Sequence, residues 1–430
     1  MDEPLDDLVG LFDGVRVLEI GQFVAAPIAA ELFAHGGADV VKLEPVTGDQ
    51  TRQTDPLRTA DGSAWGDGRQ YVVKARGKRA IPLDLSSVEG RDLARSFALR
   101  ADVLITNLRP GTASRLGLDF DTLRKDNPRL VYGEINGYGD TGPLADRPSL
   151  DLIAASWSGL RLSTNTDDEG RPGHYEAYLC DYIAGLLLAF GVAAALRHRE
   201  ITGVGQRVGT SLAHAALFAQ HRSASVFEST DGWKRELAAR RESGEGFASL
   251  HRDRVLRTSP VVFFMTTYDT SDGAVSVGAT GAMGQRLCDL FGLVDPRTTP
   301  AWADRDRRPV LLESIRRQLA AAMSAATTDD VLARLDAAGI PASPVRTLEQ
   351  VLLDDDAHAA GLIYTADHPT LGRYTMPSAP ITLSGTDYRA RSMVAAHGEH
   401  TEELLAELGY DQTTIERLVA DGIVARQSAP

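Results

Sequence analysis

The sequence predicts an α/β protein with a large parallel sheet and a smaller region of mixed strands and helices. In the first third, short apolar runs of strand length alternate with stretches of helix length. This alternation is typical of parallel sheets with right-handed crossovers. After a charged stretch at residues 221–260, two strand-like runs flank an Asp-Gly turn and helical segments follow. That order predicts a strand pair packed with helices.

The elements of the parallel region follow one another closely. Strands are predicted at residues 15–20, 39–44, 80–85, 103–106 and 130–135. Pro27 suits the first turn of a helix over residues 27–35, and Ser86 or Ser87 can cap a helix over 87–99. From residue 150 to 196 the pattern is mainly helical, with a polar interruption at 163–173.

The second region and the C-terminal part have their own pattern. Strands are predicted at residues 261–267 and 274–277, on either side of a turn at 268–273. Helices are predicted near 283–291, 310–324 and 329–338. Residues 340–345 return to a strand pattern, and residues 400–418 contain two helices.

The composition is that of a globular protein with a large core. Of 430 residues, 43% are hydrophobic and 24% are charged. A net charge of −14 argues against nucleic acid or an anionic membrane as a partner. Residues 1–13 lack a signal-peptide pattern, and the uncharged run at 182–196 is shorter than the roughly twenty residues that cross a bilayer. Two cysteines give no zinc spacing, so we expect no metal and a cytoplasmic protein.

Asp181 directly precedes the uncharged run 182–196, which Arg197 ends. The run predicts an apolar helix whose flanking charges suit the helix dipole. Because aspartate is a favoured N-cap residue, one interpretation is a cap. The other is a nucleophile held at the start of a helix. Cys180, beside it, is expected to be a small core residue and not a catalytic thiol.

Basic residues are concentrated at Lys74, Arg76, Lys78 and Arg79. Such a cluster is either a solvated turn or a phosphate site. Asn107, Arg109 and Arg115 follow the strand at 103–106, where ligands of parallel sheets bind. The first strand–turn–helix, residues 15–35, lacks the G-x-G-x-x-G pattern, which disfavours a nicotinamide or flavin dehydrogenase.

Together these segments form a recognisable set that spans nearly the whole chain. Its members are residues 14–19 (GVRVLE), 37–44 (GADVVKLE), 76–79 (RGKR), 107–111 (NLRPG), 115–118 (RLGL), 127–130 (NPRL), 141–143 (TGP), Asp181, 203–208 (GVGQRV), 339–342 (GIPA) and 398–401 (GEHT). In this order the chain resembles the family III CoA-transferases, which include formyl-CoA transferase, carnitine CoA-transferase and α-methylacyl-CoA racemase.

The resemblance implies a nucleophilic role for Asp181. An exposed aspartate, with a pKa of about 3.9, is ionised at neutral pH and can attack a thioester to form a covalent aspartyl intermediate. CoA then enters as part of the substrate and not as a permanently bound cofactor. The positions matched to CoA contacts are Val24, Ala25, Arg76, Lys78, Arg79, Asn107, Arg109, Arg115 and Tyr138.

The resemblance leaves three alternatives to CoA transfer between two acids. Racemases of the family need a histidine just before an aspartate; here Leu150 precedes Asp151, and leucine cannot transfer a proton. Intramolecular CoA transfer within one diacid and a non-catalytic CoA-binding protein are the others. Some transferases carry glutamine at the position of Val24, and its absence argues against an oxalyl or formyl substrate.

The resemblance also implies an architecture. Residues 1–220 and 346–430 would form a large Rossmann-like CoA-binding domain from both chain ends. Residues 261–345 would form a smaller α+β domain, and residues 221–260 a linker. The expected assembly is an interlocked homodimer, with acyl-CoA and carboxylic acids as its small-molecule partners.

Overall fold

Two compact units make up the described part of the chain, which comprises residues 10–164, 171–257, 264–304, 307–368 and 370–427 of a computed structural model. The first unit contains the described residues up to Thr164, Pro172–Val226 and the chain from Ala360 onward. The second runs from Phe227 to Ala359 and includes Arg171.

A six-stranded parallel sheet organises the first unit. Its strands are β1 (Arg16–Ile20), β2 (Asp39–Glu44), β5 (Lys78–Pro82), β6 (Val103–Thr106), β7 (Val131–Asn136) and β8 (Arg207–Ser211), and a hairpin of β3 (Pro56–Arg58) and β4 (Ala64–Gly68) precedes β5. The order across the sheet is β5-β2-β1-β6-β7-β8, with every pair parallel. This is the strand order of dinucleotide-binding sheets, in which the direction of winding reverses between β1 and β6. The predicted parallel α/β fold is confirmed.

The first unit also contains helices and a second hairpin. The helices are α1 (Ala25–His35), α2 (Arg69–Ala75), α3 (Val88–Arg100), α4 (Pro110–Leu116), α5 (Phe120–Leu123), α6 (Asp151–Trp157), α7 (Leu160–Thr164), α8 (Leu179–Thr202), α9 (Leu212–Ala219), α10 (His221–Ala224), α18 (Thr401–Leu408) and α19 (Gln412–Ala420). The hairpin is β12 (Ile363–His368) with β13 (Gly372–Pro377).

Each face of the parallel sheet has its own core, because alternate strand residues point to opposite sides. Val17 of β1 packs with α1, α6, α8 and α9. Its neighbour Leu18 packs on the other side with α3, α18 and α19. The C-terminal helices therefore complete a core that begins with the first strand.

In the second unit, an antiparallel sheet packs with helices. Its strands, in the order β11-β10-β9, are β9 (Met265–Asp269), β10 (Ala274–Gly278) and β11 (Ala342–Pro344). Its helices are α11 (Gly232–Glu242), α12 (Phe247–Arg257), α13 (Ala282–Leu290), α14 (Arg308–Ser324), α15 (Thr328–Ala337), α16 (Leu348–Leu352) and α17 (Asp355–Ala359). A small core around Val275 and Leu319 joins sheet and helices.

Most predicted elements lie within a few residues of the observed ones, with three informative differences. The strand predicted at 80–85 begins at Lys78, so two basic residues of the cluster lie in a buried strand. The predicted linker 221–260 contains helices, and Arg240 of α11 forms ion pairs with Glu245 after it and with Asp253 of α12. Part of the strand predicted at 261–267 lies outside the described residues.

Helix α8 is longer than its uncharged run suggested. Its 24 residues have the length and apolar composition of a membrane-spanning helix. Ala184, Leu188 and Val192 along one side are, however, buried against the sheet. That is the pattern of a core helix, which passes the same test of length and composition.

Candidate active site

Asp181 lies in the first turn of α8, two residues after the helix begins at Leu179. Tyr178, with φ 44° and ψ 41°, occupies the N-cap position. The interpretation of Asp181 as a cap is therefore wrong. Within the described residues, no hydrogen bond involving the Asp181 carboxylate is found, which leaves that side chain available to a ligand.

Side-chain oxygens from other segments accept hydrogen bonds from the backbone amides at the start of α8. The Asp181 amide donates a hydrogen bond to Asp151 Oδ2 at 2.8 Å. The Leu179 amide donates to the Tyr175 hydroxyl at 3.0 Å. Asp151, the first residue of α6, is buried, so its carboxylate holds the Asp181 backbone in a fixed position. Amides of a first helical turn carry partial positive charge, which suits a developing oxyanion.

The electrostatic setting of Asp181 differs from that of an exposed aspartate. Burial and, to a smaller extent, the negative charge of Asp151 raise the pKa of Asp181, Lys74 acts in the opposite direction, and the resulting pKa is about 7. The expectation of a pKa near the reference value is therefore wrong. Near neutral pH this carboxylate is close to half-ionised, and its basicity is that of a stronger nucleophile than an exposed aspartate.

Cys180 does not share this role. Its side chain is buried, and desolvation raises the pKa of the thiol to about 12. A thiol in that state is inert at neutral pH. The expectation of a core cysteine agrees with this placement.

Close packing of α8 on α1 brings the nucleophile candidate to the start of α1. A Cβ atom added at Gly185, one turn after Asp181, would stand 2.8 Å from the Ala25 carbonyl oxygen. Glycine is needed for this approach. Val24 and Ala25 are thus beside the α8 start, although their own side chains are buried. Phe23, with φ 64°, is the exposed residue of this turn.

The chain from Gly21 to Ala25 connects this region with a cavity at the carboxyl ends of the strands. The cavity has a volume of about 360 Å³ and is lined by Gly21, Gln22, Leu43, Pro45, Leu85 and Leu108. Asn107 fixes the backbone of Gln22, which lines this cavity, through two hydrogen bonds. The Gln22 amide donates to Asn107 Oδ1 at 3.0 Å, and Asn107 Nδ2 donates to the Gln22 carbonyl at 2.8 Å. The cavity lies at the reversal point of the sheet, where ligands of such folds bind.

Arg109 and Arg115 are exposed at opposite ends of α4, directly after Asn107. Arg115 makes one 3.2 Å hydrogen bond to Thr112 Oγ1. Among the described residues neither guanidinium group is paired with a carboxylate, so both can bind phosphates. Tyr138 follows β7 at the same edge, with its ring 5.5 Å from that of Trp157.

The basic cluster 74–79, in contrast, does not act as one site. Arg76 binds Glu31 at 3.0 Å and the Tyr364 hydroxyl at 3.0 Å, and it lines a separate cavity of about 1080 Å³. Lys78 is buried, with Nζ 2.7 Å from Glu19 and 2.8 Å from the Pro27 carbonyl. Arg79 pairs with Asp39, Glu403 and Glu407. All three residues thus have partners within the protein. Their contact with CoA stays a prediction from the resemblance.

Sequence reasoning left two residues of the site without a role. Asp151 was noted only as the neighbour of Leu150, and Lys74 only as part of a basic run. Buried charge at a helix start is a tertiary feature, so a single sequence carries no direct sign of it. Within the described residues, no His, Cys, Asp or Glu cluster suits a metal ion.

Comparisons with known proteins show the family. A family model described as CoA-transferase family III matches residues 12–401. Over 400 residues, covering 92% of this chain and 93% of the relative, the chain is 32% identical to the succinyl-CoA–L-malate CoA-transferase beta subunit of Chloroflexus aurantiacus. It is 30% identical to the succinyl-CoA:mesaconate CoA-transferase of Haloarcula marismortui, over 94% of this chain and 98% of that one.

Solved structures match over similar lengths. The hypothetical protein Rv3272 of Mycobacterium tuberculosis superposes with a TM-score of 0.73 at 26% identity, covering 93% of this chain and 100% of that chain. A CaiB/BaiF family protein from Brucella suis gives a TM-score of 0.69 at 26% identity, over 95% and 100%. Family model, relatives and fold coincide along the chain, and the protein belongs to CoA-transferase family III.

Proposed function

We propose that the protein moves CoA from an acyl-CoA thioester to a carboxylic acid through a covalent intermediate on Asp181. The observation that carries this proposal is the Asp181 side chain, which is held in place through its backbone and has no hydrogen bond within the described residues. A group that is positioned but chemically free is suited to nucleophilic catalysis.

The chemistry proceeds in two halves that mirror each other. An Asp181 oxygen attacks the thioester carbonyl, the carbon–sulfur bond breaks, and CoA leaves as a thiolate, which produces a mixed anhydride. The thiolate then attacks the Asp181 carbonyl carbon and releases the first acid as a carboxylate. The acceptor carboxylate then attacks the aspartyl–CoA thioester and displaces the CoA thiolate, which produces a second mixed anhydride. The thiolate attacks the acyl carbon of the acceptor, which forms the new acyl-CoA and returns Asp181 to a carboxylate. No step requires a proton.

We propose that CoA lies along the carboxyl edge of the parallel sheet. Arg109 and Arg115 would bind its phosphates, because guanidinium groups form charge-assisted hydrogen bonds to phosphate oxygens. The chain near Val24 and Ala25 would follow the pantetheine arm toward Asp181, and Tyr138 would contact the ligand from β7. The cavity between Gly21 and Leu108 supports this placement.

The acids themselves can be found by direct assay. The named relatives act on succinyl-CoA, L-malate and mesaconate, so a panel of acyl-CoAs with mono- and dicarboxylic acids is the natural start. New CoA esters are followed by mass spectrometry with wild type and Asp181→Ala. Transfer by wild type alone is the expected result, and turnover by both proteins would contradict the proposal. Epimerisation without an acceptor would instead indicate a racemase, against which the aliphatic Leu150 argues.

We also propose a homodimer, interlocked as the family resemblance implies, in the cytoplasm. Tyr182, Leu186 and Phe190 form an exposed apolar stripe at four-residue spacing along α8, with Phe190 76% exposed. Such a stripe is typical of an interface. Sedimentation should give twice the chain mass for wild type, and Phe190→Asp should lower the yield of folded dimer. A monomeric, fully active wild type would contradict the assembly.

A further inference from the structure

Lys74, near the end of α2, is a buried cation that lacks a close counter-charge. Its side chain is 3% exposed, and its Nζ makes a long, 3.4 Å hydrogen bond to Gln70 Oε1. Among the described residues, no carboxylate oxygen lies within 4.0 Å of this ammonium group. Because an unpaired charge is costly to bury, such a residue indicates an electrostatic role.

Lys74 lines a small cavity in which the other charged side chains balance one another. Lys42 Nζ is 2.8 Å from Glu19 and 2.9 Å from Asp49. Lys78 Nζ is 2.7 Å from the second oxygen of Glu19. Two cations thus face two carboxylates, and Lys74 adds a positive charge that this cluster does not neutralise.

Beyond Asp49, which pairs with Lys42, Asp181 is a further anion that acts on Lys74. Phe23 and Pro27, at the start of α1, line the same small cavity as Lys74. The first turns of α8 approach the same end of α1, where a Cβ added at Gly185 would stand 2.8 Å from the Ala25 carbonyl oxygen. The side chains of Lys74 and Asp181 interact electrostatically: Lys74 lowers the pKa of Asp181, and Asp181 raises the pKa of Lys74. Burial, with Lys42 and Lys78, brings the pKa of Lys74 to about 8 despite Asp49 and Asp181, so the amine is mostly charged at neutral pH.

Each chemical step of the reaction proposed above moves one negative charge from one group to another at this place. This charge begins on the Asp181 carboxylate, passes to the CoA thiolate when the anhydride forms, and then to the released carboxylate. When Asp181 is acylated it is neutral, and Lys74 has lost its protein counter-ion. A fixed cation beside Asp181 therefore helps the site to retain the anion of each step, whether it is the Asp181 carboxylate, the CoA thiolate or the released carboxylate.

We propose that Lys74 is a positioning residue that holds a fixed positive charge beside Asp181 and keeps the migrating negative charge within the site. This inference rests on the proposed function. It assigns an electrostatic role to Lys74, whose hydrogen bond to Gln70 is long. The sequence suggested a phosphate contact for the basic cluster to which Lys74 belongs.

The test compares pH profiles of kcat/KM for three variants. Lys74→Met removes the charge at similar length; we expect a loss of about 10- to 100-fold and an acid limb displaced to higher pH, since Asp181 loses its stabilising cation. Gln70→Leu is the matched control: it removes the hydrogen bond, keeps the charge, and should leave the profile in place. Unchanged rate and acid limb in a folded Lys74→Met protein would overturn the proposal.

Lys74→Arg provides an independent test should the methionine variant fail to fold. In wild type, activity should fall above about pH 8 as Lys74 loses its proton. A guanidinium group stays charged there, so Lys74→Arg should lose this alkaline limb. An alkaline limb that persists unchanged in the arginine variant would contradict the role of Lys74. Failure of the transfer mechanism itself looks different, because wild type would then form no adduct on Asp181.

Discussion

The basic turn at Arg76–Arg79 and the start of α8 at Asp181 are both conspicuous in the sequence, yet the structure uses their charges in opposite ways. Arg76, Lys78 and Arg79 each find carboxylate partners within the first unit. At the start of α8, the Asp181 amide is bonded to Asp151, whereas the Asp181 carboxylate has no hydrogen bond among the described residues and feels the charges of Asp151 and Lys74. The paired charges stabilise the fold, and we propose that the unpaired ones take part in the chemistry.

Loss of Asp181 should have the largest effect on activity. Asp181→Ala is expected to lower kcat on the order of 10⁴-fold, because the covalent route is lost, while the thermal unfolding midpoint stays near that of wild type. Asp121→Asn, an exposed acid on α5, is the control and should behave as wild type. Substantial residual transfer by Asp181→Ala would place the nucleophile elsewhere.

Loss of Lys78 should affect stability instead. Lys78→Met leaves Glu19 buried with Lys42 alone, so the free energy of unfolding should fall by about 3 kcal/mol in urea titrations. Activity per folded molecule should change little by comparison. If stability is unchanged and the KM for acyl-CoA rises steeply, Lys78 is a ligand contact and the contrast between the two regions fails.

The exposed arginines of α4 should affect binding. Arg109→Ala with Arg115→Ala is expected to raise the KM for acyl-CoA roughly tenfold at similar kcat, since each phosphate contact is lost in ground and transition state alike. Steady-state kinetics of the double variant measure this change. Arg124→Ala, on the neighbouring α5 end, is the matched control. A KM equal to that of wild type would move the phosphate site away from α4.

The smallest expected effect is a displaced pH profile. Activity requires ionised Asp181, so kcat/KM should fall below about pH 7 in wild type. Asp151→Asn removes a charge that raises this pKa and keeps an oxygen for the Asp181 amide, so the acid limb should move to lower pH by about one unit. Asp146→Asn, exposed in the preceding loop, should leave it unchanged. A limb that moves upward would contradict the electrostatic role of Asp151.

Much of the fold was predictable because its signals are local. Apolar runs mark β1, β2, β6 and β7, and Ser87 accepts the Gly90 amide as the cap of α3. The Asp-Gly turn marks the β9–β10 pair. Helices α11 and α12 were missed because their residues are largely charged, and ion pairs such as Arg240 with Asp253 replace an apolar face.

The site was predictable only in part, for a physical reason. Asp181 stands out because an apolar run follows it, and Asn107 because it follows a strand. The partners of Lys78 and Arg79 come from distant segments, β1 and α18 among them, so their pairing is decided by tertiary structure. Lys74 and Arg76 look alike in sequence, and only the fold leaves one without a carboxylate partner.

Peptide mapping of a quenched reaction tests the covalent role of Asp181 most directly. Protein incubated with a turned-over acyl-CoA is treated with hydroxylamine or borohydride, digested and analysed by mass spectrometry, with Asp181→Ala as the control. Modification of the peptide that contains Asp181, in wild type only and only with the CoA thioester, is the expected result. Active protein with no modification at Asp181, or with the same modification in the alanine variant, would contradict it.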